Sequence, residues 1–596
     1  MKRFLILFLA LALCLSSLVA CQSSQNGNET ENTESESTDN KQENTNSQRL
    51  PAVSTSNEGF EFALASDNRS YIFVSKGTCA DKKITVPATH NELPVSAIAE
   101  DAFSGCSGIT EVVLSEGIAT VENYAFAYAK DLKKVTLADS VTNIGEKAFY
   151  ACEALESVAF GKDLAYIGVS AFEGCKSLSA VSIPDNVKTI ASSAFYGCSA
   201  LSSISLGSGL NSIEHSAFIG TAFFHNESNW TDGMLYIGKY LISVNSEKSG
   251  ALTVKDGTEL IADQAAPRAK ITSLVLPASL KYIGANAFAA CNGLTSVELP
   301  DGVISLGANS FASCDGLTDI YLPDSIVSIG SYAFYHCSAL TEITIPKDVT
   351  SIADQTFNEC TSLKKINFND KLTSIGTYSF ANCVSLITVE FPSSLTVIGE
   401  SSFYKCYNLV SVNIPKSVNK IKNWAFQYCQ KLVEVRNESS LTLTKGDKGN
   451  GYVAYYAKVI HNGESLLVRQ DNFIFYTEDS TNYLLGYDGT ATELSLPQSF
   501  NGSEYIVYKY AFSFRPELTK VYIPEGAKTI QGYIFEYCTN LSELTLGKSV
   551  RTIEKYAVSN CPSFSKVIYL GTQEEYNAIT IKTPNDLLNN AVKVFN

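Results

Sequence analysis

No G-x-S-x-G, H-E-x-x-H or phosphate-binding glycine loop occurs in the 596 residues. A nucleophile elbow, zincin chemistry and P-loop nucleotide binding therefore have no residues to use. Histidine is scarce: His90, His215, His225, His336 and His461 stand far apart and in different phases of the repeat described below. Only His336 has a reactive neighbour, Cys337, and the repeat phase turns that thiol toward the core rather than into a Cys–His dyad. Positive charge is in deficit, with 45 Lys and Arg against 61 Asp and Glu and a formal charge of −16. Nucleic-acid binding needs a clustered basic surface, so it is excluded. The 16 cysteines include no C-x2-C pair, so a metal cluster is not expected either. No catalytic residue and no cofactor is called for, and the chain reads as a non-enzyme.

What the chain does have is repetition. From Phe288 to Cys429 one phrase of 23 residues is said seven times, with phenylalanine at 288, 311, 334, 357, 380, 403 and 426. Cysteine follows each three residues later, from Cys291 to Cys429. Phenylalanines also stand at 103, 126, 149, 172, 195 and 218, and the phrase returns around Phe512, Phe535 and Val558. A fixed period in the twenties marks a solenoid, in which each repeat stacks on its neighbour. The expected fold is a β-rich leucine-rich-repeat solenoid of about 17 coils, with terminal caps and two small β islands. Stacked at ~4.8 Å, the coils would extend roughly 80 Å if unbroken.

Within a coil, Leu-x-x-Val-x-Leu, as at Leu178-x-x-Val181-x-Ile183, alternates with period two and predicts a strand with one buried face. Pro184, Pro300, Pro323 and Pro346 follow such strands, and a residue without an N–H suits a strand end. The other half, Ile-Gly-x-x-Ala-Phe-x-x-Cys, places Phe and Cys on one face of a short helical turn. The glycine is read as letting the backbone turn.

The N-terminus is of another kind. Lys2 and Arg3 precede an apolar run from Phe4 to Leu15, a signal peptide too short to span a bilayer. Leu18-Val19-Ala20-Cys21 resembles the bacterial lipoprotein signal, which implies lipid attachment at Cys21 and stable anchoring through two acyl chains. The segment 21–56 is polar throughout and reads as a disordered tether reaching roughly 30–35 Å. The organisation is then 1–20 lipoprotein signal peptide, 21–56 tether, 57–94 N-terminal β cap and 95–222 first repeat block. It continues as 223–260 β island, 261–436 second block, 437–500 β island, 501–570 third block and 571–596 closing cap. The islands are aromatic-rich and carry Asp232-Gly233 and Asp488-Gly489 turns. They are expected to bulge out or fold back against the solenoid.

Thirteen cysteines sit at the repeat position, and Ala129 and Thr221 replace it in two coils. A reduced ladder of small buried groups fits this best, with scattered disulfides as the alternative.

With Leu-x-x-Val-x-Leu-Pro and Ile-Gly-x-x-Ala-Phe-x-x-Cys in view, the chain resembles the BspA-like bacterial surface proteins over about Ile84 to Tyr569. The resemblance implies a binding protein, adhesin-like in several members, on the cell surface or membrane and facing out of the cytoplasm. It brings no fixed ligand and no catalytic residues. Expected partners are an extracellular protein or glycan on host or neighbouring cells, and the membrane through the lipid anchor. The candidate ligand surface is the outward strand face, including Glu298, Tyr321, Thr344, Asn367, Glu390 and Asn413, read as long, mildly acidic and concave. A second set comprises tyrosines beside the key phenylalanine, Tyr124, Tyr150, Tyr196, Tyr332, Tyr335, Tyr404 and Tyr428, which roof the core edge or meet a partner. Two other readings remain: a structural cell-surface spacer, and a glycan-capture protein serving an uptake system through aromatics near Trp230 or Tyr483.

Overall fold

The computed structural model describes residues 53–55 and 58–595. The signal peptide, Cys21 and most of the tether lie outside the described residues. Val53–Thr55, inside the stretch assigned to the tether, forms a strand antiparallel to Glu61–Leu64.

Each coil contributes two short strands, not one. The apolar alternation makes the first, as in Lys134–Thr136 pairing parallel with Ser157–Ala159. The Ile-Gly segment makes the second, as in Asn143–Ile144 pairing parallel with Tyr166–Ile167. The glycine after it serves close approach rather than a turn: a Cβ on Gly168 would stand 2.6 Å from the carbonyl carbon of Gly145 in the preceding coil. Two parallel ladders thus enclose the core.

The Ala-Phe-x-x-Cys segment closes each coil as a tight turn, not as a helix. Residues two before and two after the phenylalanine take left-handed backbone, as Tyr124 (φ 56°) and Tyr128 (φ 61°) do around Phe126. That geometry aims amides at the next coil, so Phe126 N donates to Ala148 O at 2.7 Å and Tyr128 N to Tyr150 O at 2.8 Å. It also drives the phenylalanines inward into a stacked column, with centroids 4.6 Å apart for Phe103–Phe126 and 5.3 Å for Phe403–Phe426. Every member from Phe103 to Phe218 and from Phe288 to Phe426 is buried. Truncating one to alanine removes about 3–5 kcal/mol.

Three β-hairpins divide the solenoid, and each starts a block. Tyr71–Ser75 pairs antiparallel with Glu61–Leu64 on one side and parallel with Leu93–Ile98 on the other. Tyr240–Val244 repeats the arrangement between Met234–Ile237 and Leu260–Ile261. Thr481–Tyr487 repeats it between Phe473–Glu478 and Tyr505–Val507. The hairpin strands of the islands are therefore part of the second ladder, while Ser249–Thr253, Val459–His461 and Glu493–Ser495 join the first. Alternate residues of the middle hairpin face opposite ways: Leu235, Ile237 and Tyr240 join the core of the first block, while Met234, Leu241 and Val244 join that of the second. In the third hairpin Phe473, Phe475 and Leu484 close the last block's core.

The closing segment keeps the ladders after losing the phrase. Thr580–Ile581 pairs with Thr552–Ile553, and Val592–Phe595 with Lys566–Tyr569. The coils therefore extend slightly beyond the 17 read from the phrase.

Candidate binding surface

The first ladder presents the predicted face, because its alternation buries Val297, Ile320 and Ile343 and leaves their neighbours outside. Glu298 and Tyr321 are side by side in register, and so are Thr344 and Asn367. Tyr321 is 49% exposed. Its hydroxyl stands 3.4 Å from Asp301 Oδ1; that carboxylate, with Asp324 and Glu298 nearby, pushes the phenol above its usual range.

The remaining candidates are partly engaged within the protein. Asn367 Nδ2 donates to Glu342 Oε1 at 2.7 Å and to Thr344 Oγ1 at 2.9 Å. Glu390 is exposed but takes the Arg436 guanidinium from two coils on. Asn413 is half-buried and holds the backbone of Phe391 from both sides, accepting from its N at 2.5 Å and donating to its O at 3.0 Å. The free part of the face is therefore centred on Glu298 and Tyr321.

Of the tyrosine set, Tyr124, Tyr332 and Tyr428 occupy left-handed turn positions, and Tyr428 is 39% exposed. Tyr404 meets Tyr428 edge to face at 5.3 Å. Trp230 is half-buried, its Nε1 donating to Phe224 O at 2.9 Å. Tyr483 lies under Lys458 Nζ at 4.5 Å.

All described cysteines are free. Each repeat thiol from Cys152 onward donates to a carbonyl of the preceding coil, as Cys360 Sγ does to Phe334 O at 3.2 Å. Burial pushes the Cys152 thiol up to about 12 and Cys291 up to about 11. These are core groups with a weak donor. Cys337 is among them, while His336 faces away and lies 2.8 Å from Glu359 Oε2. Among the described residues no group of three or more His, Cys, Asp or Glu is placed to hold a metal ion. No helix there is long and apolar enough to cross a membrane.

Two features escaped the reading by phrase. Ion pairs recur at the repeat interval, such as Lys162–Asp139 at 2.8 Å and Lys176–Glu153 at 3.1 Å; each, being exposed and screened by solvent, adds little to stability. The second is a flank. The position seven after the key phenylalanine is Lys, Glu, Ser or Thr in most coils, but Ile387, Val410 and Val433 in three consecutive ones. Ile474, Tyr476 and Leu485 of the third hairpin pack on that stripe with Tyr508. Comparing the same position across coils would have found it.

Nearby, Glu434 is fully buried and accepts from Ser411 Oγ at 2.6 Å, Ser465 Oγ at 2.7 Å and Leu466 N at 2.6 Å. Burial would raise its carboxyl, but these donors together with His461 hold it below the usual range.

The sequence model of the BspA type leucine rich repeat region matches residues 96–225, 259–360, 328–446 and 505–581. The chain belongs to the BspA-type leucine-rich-repeat family. The two internal gaps in the match, 226–258 and 447–504, coincide with the second and third hairpins, where the family's phrase gives way. Among solved structures the chain is similar to a leucine-rich repeat protein from Bacteroides ovatus, 26% identical over 63% of this chain and 93% of that one, TM-score 0.31. A leucine rich cell surface protein from Faecalibacterium prausnitzii is 23% identical over 68% and 98%, TM-score 0.26. A leucine-rich repeat protein from Eubacterium ventriosum is 20% identical over 67% and 99%, TM-score 0.29. No curated protein matches.

Proposed function

We propose that this protein is a lipid-anchored surface protein that binds another protein through the first ladder, without catalysis, and so mediates adhesion. The supporting observation is Tyr321, an exposed aromatic on a strand held in register, with Glu298, Asp301 and Asp324 around it. An aromatic anchor combines contact area with a hydroxyl, and the carboxylates select a partner that is basic at the contact. Anchoring through Cys21 follows from the N-terminal signal alone.

The test is capture of extracellular partners by the mature ectodomain, followed by replacement of Glu298, Tyr321, Asn367 and Glu390 together. Expected are a loss of at least about tenfold in affinity and a binding constant that weakens with salt. A spacer would show no saturable partner at all. For the anchor, Cys21→Ala should move the protein out of the membrane fraction; retention there would refute it.

A further inference from the structure

The last coil of the second block reverses the sign of the molecule's charge. From residue 401 to 433 the chain has five lysines and no aspartate or glutamate, within a protein of formal charge −16. Lys431 is buried, while Lys416, Lys420 and Lys422 are exposed. In earlier coils lysines are answered by acids across the repeat interval: Lys347 by Asp324 at 3.2 Å, Lys365 by Glu342 at 2.7 Å and Lys371 by Asp348 at 2.6 Å. Lys416, Lys420 and Lys422 have no ion pair among the described residues.

The fold sets these charges beside an aromatic ring. Lys420–Ile421 is a strand of the second ladder, and Ile421 is buried. Extended backbone therefore sends Lys420 and Lys422 outward together, about 7 Å apart along the chain. Two residues on, the turn holds Trp424 in left-handed backbone at φ 58°, with 44% of its surface exposed. Asn419 and Asn423 are exposed too, and their amides make no side-chain hydrogen bond among the described residues. The next segment extends the basic run. Phe426 N donates to Gly451 O at 2.7 Å, which seats Asn450–Tyr452 on this coil. Exposed Lys445 and Lys448 stand on the loop leading into it, again without an ion pair among the described residues. Glu400, Glu438 and Asp447 are the acids nearest in the chain to these surface lysines, and none is bonded to them.

Like charges held this close repel, and a bound polyanion removes the repulsion. The flat, half-wet indole offers an apolar surface with a polar edge, and the free amides offer both donors and acceptors for hydroxyls. A membrane surface would call for further apolar side chains around the tryptophan, whereas its chain neighbours at the surface are lysines and amides. We infer that this coil binds an extended acidic polysaccharide, with its anionic groups on Lys420 and Lys422, a sugar ring on Trp424 and hydroxyls on Asn419 and Asn423. The site lies on the second ladder and its turn, apart from the first-ladder face, so either reading can fail without the other.

Binding of the mature protein to polygalacturonate, dextran sulfate and neutral dextran tests it, with phosphatidylglycerol vesicles and a single-stranded oligonucleotide as competing polyanions. At low salt, a dissociation constant below about 100 μM is expected for at least one acidic polysaccharide, weakening as salt rises, with no binding of neutral dextran. Lys420→Gln with Lys422→Gln should weaken it by about tenfold or more at an unchanged melting temperature, and Trp424→Ala by about threefold or more. Lys365→Gln, which removes a lysine that is already paired, should leave binding unchanged. The inference is wrong if neither acidic polysaccharide binds, if dextran binds equally, or if vesicles or the oligonucleotide bind more tightly than both. It is equally wrong if the double lysine variant or Trp424→Ala binds like the parent, or if Lys365→Gln costs as much as they do.

Discussion

Tyr407 of the second block and Phe514 of the third lie face to face, ring centroids 3.9 Å apart and planes within 1°. Phe514 in turn stacks on Tyr537 at 5.0 Å. The two blocks are therefore joined by aromatic contact on their flanks as well as by the chain between them.

Phe514→Ala should weaken that junction by about 2 kcal/mol. Calorimetry should show the third block melting as a separate, earlier transition, while the melting of the second block is unchanged. A single transition shifted as a whole would contradict the assignment.

Cys152, Cys175 and the repeat thiols from Cys291 to Cys538 should be silent to a thiol reagent in the native state and react only on unfolding, because burial disfavours the thiolate. Cys106, which is only half-buried, should react first. Mass spectrometry after brief alkylation reads each site; early labelling of Cys337 or Cys360 would count against the core role.

Ala151 and Ala290 hold left-handed backbone at φ 53° and 58°, where the equivalent coils have Gly174, Gly197 and Gly220. Ala151→Gly and Ala290→Gly should each stabilise their block by about 0.5–1 kcal/mol. Thermal melts measure it, and the same exchange at Ala148, buried in the core, should destabilise.

Two carboxyls should respond to pH in opposite ways. Asp263 is raised to about 6 by burial and by the nearby Glu214. Its folded form holds a proton that the unfolded chain has released, so stability falls as pH rises from about 4 to 6. Asp263→Asn should remove that fall and stabilise by roughly 1 kcal/mol at pH 7, allowing for its partial solvent contact. Glu434 is depressed; its contribution is present above the unfolded carboxyl range and is lost as pH falls below it. Glu434→Gln should flatten the acid limb of a stability–pH curve.

Much of this fold was legible because period and burial coincide. Phe311 and Cys314 recur in phase since every coil asks the same of them, and the first strand's alternation marks its outer face. The turn was misread as helical because a three-residue spacing fits a helix too; its left-handed residues, Tyr124 or Ala151, have no sequence signature in common. The hairpins were seen as β islands but not as ladder members, because the partner of Tyr240–Val244 lies beyond an intervening segment, at Leu260–Ile261. Within the candidate binding face, exposure could be read from alternation. The hold of Asn413 on Phe391 and the reach of Arg436 to Glu390 depend on side-chain geometry across coils, which no spacing encodes.

The hairpins also decide how the molecule yields to a pull. Coils drawn from one end come away singly, each releasing 23 residues, or roughly 80 Å of extended chain. At Tyr240–Val244 the next strand drawn is bonded antiparallel to a neighbour within the same hairpin and buried on both faces. Force–extension traces should therefore show short, even steps interrupted by a higher peak at each hairpin, so that a load which strips one block is arrested before the next.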